Sequence, residues 1–313
     1  MEIREGTEKD IPEILKVLKA SLGETSSKKT EEIWRFKHVE NPFGKSLILV
    51  ALEAGEMIGV RAFMRWQWQK GNKIHTTFRA VDTATHPKHQ GKGVFKKLTL
   101  QAIELAKQEG GHFIFNTPNH LSLPGYLKMG WEKVDKLKVQ IQPTFPLNWF
   151  SNKITDYNTE IRTPSQNIKT LCSLTNEDKV KKAKYFTPKS NEYLRWRYED
   201  NPLQKYEVIA DISFYMAGYV KEHTYFKELR IVEIVVGDDG AYGTIKNIIS
   251  NWAKKFGTAF ISMANEDGLG NFFIKGNFGP VMTVRKLNLP NEEFNYLLDL
   301  NHFNYSLGDL ELF

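Results

Sequence analysis

VDTATHPKHQGKGVFKKL, residues Val81–Leu98, is the stretch from which the fold can be read. An extended run ends at His86-Pro87, and the loop Gln90-Gly91-Lys92-Gly93 follows. A helix then runs to about Glu109 on an apolar stripe of Val94, Leu98, Ala102 and Leu105, and Gly110-Gly111 stops it. The glycines let backbone approach a ligand closely. The helix start turns unpaired N–H groups and the positive dipole end into the loop. Lys88, Lys92, Lys96 and Lys97 add charge nearby. This is chemistry for a pyrophosphate. The spacing is neither a G-x-x-x-x-G-K-[ST] loop nor a G-x-G-x-x-G turn after a parallel strand.

Upstream, Ile3 and Arg4 open an extended run, and Thr7-x-x-Asp10 starts a helix carrying Ile11, Ile14, Leu15, Val17 and Leu18. A second helix is expected over Thr30–Val39, closed by Asn41-Pro42. Between Ser46 and Pro87 lie three β runs, separated at Ala54-Gly55 and Lys70–Lys73, which read as an antiparallel meander. Trp66 and Trp68 fall on one face of a strand, expected to be buried, against the second half of the chain. Downstream come a buried strand in HFIFN, a short helix with Tyr126, and a last strand after Gly130-Trp131.

The 313 residues correspond to about two domains. Their apolar and charged content is that of a globular protein, not of a disordered chain. One cysteine, Cys172, excludes an intramolecular disulfide and a multi-cysteine metal site; it is read as structural, in a strand leaving the linker. No apolar run reaches the length of a membrane span, and the acidic N-terminal stretch is not a signal peptide, so no membrane association and a cytoplasmic setting are expected. The net charge of +6 suits an anionic ligand and is too diffuse for nucleic acid. No metal site is expected.

The two halves echo each other. RFKHVENP (Arg35–Pro42) aligns with RWRYEDNP (Arg195–Pro202), with three identities and four like-for-like exchanges. LILVALEAGEMIGV faces YEVIADISFYMAGYV, matching Gly59 with Gly218. FRAVD (Phe78–Asp82) faces LRIVE (Leu229–Glu233), YLKMGW (Tyr126–Trp131) faces FIKGNF (Phe273–Phe278), and TEKD (Thr7–Asp10) faces TNED (Thr175–Asp178) as a second helix start. Five matches in one order argue for duplication. The loop is not repeated: opposite it stands the acidic GDDGAYGTIK (Gly237–Lys246). Residues 143–190 change character, and the division read from this is 1–142, a linker or embellishment at 143–166, and a second copy at 167–313.

The order of strand, Gln90-x-x-Gly93 loop, long helix and buried strand, followed by Asn119, Ser122, Tyr126, Gly130 and Trp131 at N-x-x-S-x-x-x-Y-x-x-x-G-W spacing, resembles the GNAT superfamily of acetyl-CoA-dependent N-acetyltransferases. Residues 1–140 carry the resemblance, and the second half carries it through the repeat. A bulky Phe95, where the family usually has Gly or Ala, is similar to the Eis-type branch. The resemblance implies an α/β (α+β) protein of two GNAT-like domains, each a mixed, mostly antiparallel sheet flanked by helices and split between strands 4 and 5, the second copy degenerate. It implies acetyl-CoA as co-substrate, with Thr83, Ala84 and Thr85, after Asp82, pairing with the pantetheine arm. His89, Gln90, Gly91, Lys92 and Gly93 would bind the pyrophosphate, and Asn116 or Asn119 the pantetheine amides. Tyr126 would donate to the leaving sulfur.

No glutamate stands at the family's usual base position; Arg79 falls near it, leaving Asp82 and His75 as the nearest titratable groups. Asp82 could instead cap or pair with Arg79. Trp34, Phe36 and His38 are candidates for an acceptor groove, although their echo in Trp196 and Tyr198 suggests packing kept in both copies. The implied activity is direct acyl transfer to a primary amine of a small molecule or peptide. The rival readings are a non-catalytic acyl-CoA-binding module and an aminoacyl-transferase-like tandem protein.

Overall fold

The structure, a computed structural model, describes every residue except 24–27, 145–155, 265, 271–273 and 311–313. The chain divides into two units. The first contains residues 1–135 and 280–302. The second contains 136–279 and 303–312.

In the first unit, β1 (Glu2–Glu5) leads to α1 (Ile11–Leu22) and α2 (Glu31–His38). At the Thr7 start the backbone N–H and the hydroxyl both donate to the Asp10 carboxylate, at 2.7 and 2.9 Å. Thr30 caps α2 by accepting from the Ile33 N–H at 3.3 Å. The meander is β2 (Leu47–Glu53), β3 (Glu56–Lys70) and β4 (Lys73–Thr85). Then come α3 (Val94–Gln108), β5 (Phe113–Asn116), α4 (Leu123–Lys128) and β6 (Glu132–Lys136).

The second unit runs β7 (Val139–Pro143), β8 (Thr159–Ile161), α5 (Ser165–Lys181), α6 (Asn191–Leu194), β9 (Glu207–Ala210), β10 (Phe214–Glu222) and β11 (Lys227–Val236). It continues with α7 (Tyr242–Phe256), β12 (Phe260–Met263) and β13 (Ile274–Gly276). After it come β14 (Val281–Lys286), α8 (Asn291–Leu297) and α9 (Leu307–Leu310).

Among the described residues each sheet has seven strands, ordered β1-β2-β3-β4-β5-β14-β6 and β13-β7-β12-β11-β10-β9-β8. Read from opposite ends the two orders correspond, except that β14 sits where a continuous first copy would place β7, and β7 occupies that slot in the second sheet. The division expected at residue 142 therefore differs from the one found. A contiguous cut assumes each sheet is built from one run of chain, whereas β14 returns to pair with β5 through Thr283↔Asn116 to Lys286↔Phe113. Part of the expected linker at 143–166 belongs to the second sheet, since β8 pairs with β9; residues 145–155 of it lie outside the described residues.

Both sheets are split. Strand β4 runs parallel to β5 only over Thr77–Arg79 and then continues to Thr85 paired with β3 alone. Strand β11 pairs with β12 over Glu228–Ile231 and continues to Val236. These registers align FRAVD with LRIVE: Phe78 lies opposite Ile114 as Leu229 lies opposite Ile261.

Three other repeat matches do not hold in space. Gly59 lies opposite Thr85, but Gly218 lies opposite Ile231, five positions before the equivalent Val236. TNED falls inside α5, where Thr175 donates to the Val236 carbonyl at 2.8 Å instead of starting a helix. Ile274–Gly276 of FIKGNF is strand β13, whereas Tyr126–Lys128 of YLKMGW is helical; Phe273 lies outside the described residues. Cys172 is buried on α5, in a helix and not a strand.

The first core lies between α3 and the sheet. Val94, Leu98, Ala102 and Ala106 meet Leu49, Ile58, Phe63, Phe78 and Ile114. Gly59 permits this approach: a Cβ there would stand 2.8 Å from Val94 Cγ1 and 3.0 Å from Leu98 Cδ1. Trp66 and Trp68 are fully buried; Trp66 packs on Phe43 and both pack on Phe115.

Candidate active site

The loop that opens α3 has the backbone its glycines require. Gly91 and Gly93 take φ values of +78° and +76°, a region L side chains rarely enter. Gly93 is the N-cap of α3, and the first backbone bond of the helix is Lys97 N–H to Gly93 C=O at 3.0 Å. The amides before Lys97 thus face outward from the helix start. Glu53 pins one side of the loop, 3.0 Å from His89 Nδ1 and 3.6 Å from Lys92 Nζ. Lys88, Lys96 and Lys97 are exposed. The Gln90 side chain reaches the Thr85 carbonyl at 3.4 Å.

Beyond Arg79, the β4 edge that paired with β5 has no partner strand among the described residues, while its other edge pairs with β3 through Val60↔Ala84 and Gly59↔Thr85. Between Val60↔Ala84 and Ala62↔Val81, Arg61 stands opposite two residues, Asp82 and Thr83, in a β-bulge. Asp82 takes φ +40°, in the left-handed region that Asp tolerates better than most residues. Its carboxylate accepts from Lys37 Nζ and lies 3.0 Å from His38 Nε2, whose Nδ1 lies 2.9 Å from Ser46 Oγ.

Burial pushes the Asp82 carboxyl up, but Lys37 and the His38 hydrogen bond outweigh it and hold the group well below the usual carboxylate range. Burial lowers His38, partly opposed by its bond to Asp82. Asp82 is therefore an anchored anion, with little tendency to take a proton. The alternative pairing with Arg79 is replaced by these two contacts from α2, more than forty residues away in sequence.

Tyr126, on α4, is buried. Its ring meets Phe95 edge-on at 5.8 Å and Trp131 at 5.0 Å. Phe95, bulky for its position, thus forms a wall for the tyrosine. The phenolic oxygen accepts from Arg61 NH1 at 2.8 Å, and the same nitrogen donates to Thr83 Oγ1. Arg61 was not among the expected site residues. Its signal is a charged residue inside the apolar strand run MIGVRAFM.

Asn116, at the end of β5, is buried and bonded through Oδ1 to Thr283 Oγ1 at 2.5 Å. Asn119 is exposed, and its Oδ1 accepts from the Leu121 and Ser122 amides at 3.1 and 2.9 Å, holding the turn into α4. Trp34 and Phe36 are 5% and 4% exposed, and the Trp34 ring lies tilted against His38 at 4.1 Å. They pack inside the unit and do not form an open groove wall. His75 lies seven residues before Asp82 on β4, roughly 23 Å along the strand. It is fully buried beside Glu293 at 3.1 Å, and burial takes it down to about 4.

The basic loop, split strand and tyrosine are thus brought into one unit. Residues 2–134 match the model of the acetyltransferase (GNAT) domain. This stretch, under half of the chain, is similar to the GNAT acetyltransferase family. Several solved structures are similar in fold over 92% of the chain. A conserved Enterococcus faecalis protein given as a probable N-acyltransferase aligns with TM-score 0.66 at 10% identity, covering 92% of this chain and 73% of its own. A GCN5-related N-acetyltransferase from Anabaena variabilis gives 0.65 at 14%, with the same coverage. Eis1 from Mycobacterium abscessus gives 0.58 at 11%, covering 92% and 74%. At these identities the likeness is one of fold. No curated protein matches the chain. The GNAT fold is one that supports acyl transfer. Among the described residues no helix is long and apolar enough to cross a membrane.

Proposed function

We propose that the first unit is an acetyl-CoA-dependent N-acetyltransferase that moves an acetyl group directly to a primary amine of a small molecule or peptide. The observation that carries this reading is the Tyr126 hydroxyl accepting from Arg61, which also donates to Thr83 at the bulge of β4, the strand that leads into a basic glycine loop at a helix start. The residues fit the cofactor. Exposed Lys88, Lys96 and Lys97 and the amides before Lys97 suit a pyrophosphate. The unpaired edge of β4 at Asp82–Thr85 suits an extended amide-bearing arm, which would add to it like a strand.

Bound acetyl-CoA would supply an activated thioester. Tyr126 holds a proton for the departing sulfur, and such acid help is typically worth roughly 10²–10⁴-fold. Asp82 serves in this reading as the anchor that ties α2 to the bulge. The second copy keeps the split sheet, but its turn carries Asp238 and Asp239 in place of the basic loop, which supports a degenerate role.

A non-catalytic acyl-CoA-binding module is the second reading, favoured by the engagement of Asp82 with Lys37 and His38. The test is thiol release from acetyl-CoA over a panel of primary amines, with parent and Tyr126→Phe. Amine-dependent release that falls at least about tenfold in the variant is expected. Binding of acetyl-CoA without release from any amine would favour the second reading.

A further inference from the structure

Arg61 is fully buried, yet only one of its three guanidinium nitrogens is hydrogen-bonded; Nε and NH2 have no partner among the described residues. The bonded one, NH1, holds both the Tyr126 oxygen and Thr83 Oγ1. The guanidinium carbon lies 4.6 Å from the centre of the Phe63 ring and 5.3 Å from that of Tyr126. A buried cation so sparsely bonded is costly to keep and asks for an explanation.

Hydrogen-bond chemistry supplies one. Arginine only donates, so the Tyr126 oxygen must accept. The phenol's own proton is left to point elsewhere, and among the described residues no group accepts it. The arrangement is a buried hydroxyl that keeps its proton to donate while a cation faces its oxygen.

The second copy lacks all three members. Its registers put Met216 and Ala217 opposite Ile234 and Glu233, where the first copy has Arg61 opposite Thr83 and Asp82. The connection between β12 and β13 contains no tyrosine. The carboxylate position, Asp82 or Glu233, is kept. The arginine, the threonine hydroxyl and the tyrosine are therefore absent together from the copy that also lacks the basic loop.

We infer that Arg61 is a positioning residue for acyl transfer, acting through Tyr126. As the new C–N bond forms and the C–S bond breaks, the Tyr126 hydroxyl gives its proton to sulfur. The phenolate charge then develops against Arg61. The proton shed by the amine returns through water to the phenolate, so the free thiol and the amide are the only products. This rests on the acetyltransferase reading above.

The test is a double-mutant cycle on the full chain: parent, Arg61→Met, Tyr126→Phe and the double variant, with kcat and the KM for acetyl-CoA measured on an amine found by the panel. Arg61→Met is expected to lower kcat about 10–100-fold, within the range of acid–base effects, and to leave KM within about threefold. In the Tyr126→Phe background it is expected to change kcat less than about twofold, because the group it acts through is gone. Arg61→Lys, which keeps a donor and a charge, is expected to regain part of the loss and checks that folding is not at issue. An equal loss in both backgrounds, or a change confined to KM, would overturn the role of Arg61 alone. Equal rates for parent and Tyr126→Phe, or no transfer by the parent, would overturn the underlying reading and this inference with it.

Discussion

Replacing Asp82 by Asn removes one charge from the contact that ties α2 to the β4 bulge. Asn tolerates the left-handed backbone about as well as Asp, so the φ of +40° at this position survives the change. What is lost is the anion between Lys37 and His38, whose side chains are 9% and 1% exposed beside an Asp82 that is 16% exposed. Removing one partner of a buried pair typically costs about 3–5 kcal/mol, and the residual exposure favours the low end, about 3. With a urea slope near 3 kcal/mol/M, the unfolding midpoint should drop by about 1 M at pH 7.

The pH dependence follows from the directions of the shifts. The Asp82 carboxyl is held down in the folded chain, while in the unfolded chain it takes a proton near pH 3.9. Its contribution is therefore whole above about pH 4 and fades as pH falls further. His38 is also lowered, so below about pH 6.5 the unfolded chain takes a proton that the folded chain refuses, and the parent itself loses stability there. The gap between parent and variant should persist from pH 7 to 5 and close below about pH 4. A variant as stable as the parent at pH 7 would refute the anchoring role and return Asp82 to the list of bases.

Other perturbations have equally definite outcomes. Gly59→Val should cost about 1–3 kcal/mol and weaken acetyl-CoA binding, because its Cβ would crowd Val94 and Leu98 and move the start of α3; urea unfolding and calorimetry would show both. Lys189→Met should destabilise the second unit by about 3–5 kcal/mol, since Lys189 sits between Glu233 at 2.7 Å and Asp309 at 2.9 Å, all three essentially buried; thermal unfolding followed by circular dichroism would report it. Burial pushes the Cys172 thiol up to about 12, so a thiol reagent at pH 8 should leave the folded chain unlabelled and react fully after urea.

What the sequence discloses here is mostly local chemistry. The Gln90–Gly93 loop is legible because positive φ and an open helix start are written in adjacent residues. The meander, α3 and the Tyr126 helix follow from periodicity and turns. FRAVD and LRIVE correspond because each strand must enter its split at a fixed point on its parallel neighbour.

Partners distant along the chain are less legible. Strand β14 joins a sheet begun nearly three hundred residues earlier, and nothing in VMTVRK marks which sheet it will enter. Gly59 and Gly218 match as letters, yet one admits α3 and the other lies against Trp252 and the Arg230 carbonyl, so glycine identity does not fix register. Asp82 has an arginine three residues before it but is satisfied from α2, and Arg61 meets Tyr126 across sixty-five positions.

The proposed acetyl-CoA site lies in one of the two similar folds of this chain, on the loop before α3. Calorimetric titration of the intact protein with acetyl-CoA tests it most directly, with Gly93→Asp as control because that change strains the φ of +76° and adds an anion at the helix start. One equivalent is expected to bind per chain of the parent and none to the variant. No binding by the parent, two equivalents per chain, or undiminished binding by Gly93→Asp would contradict it.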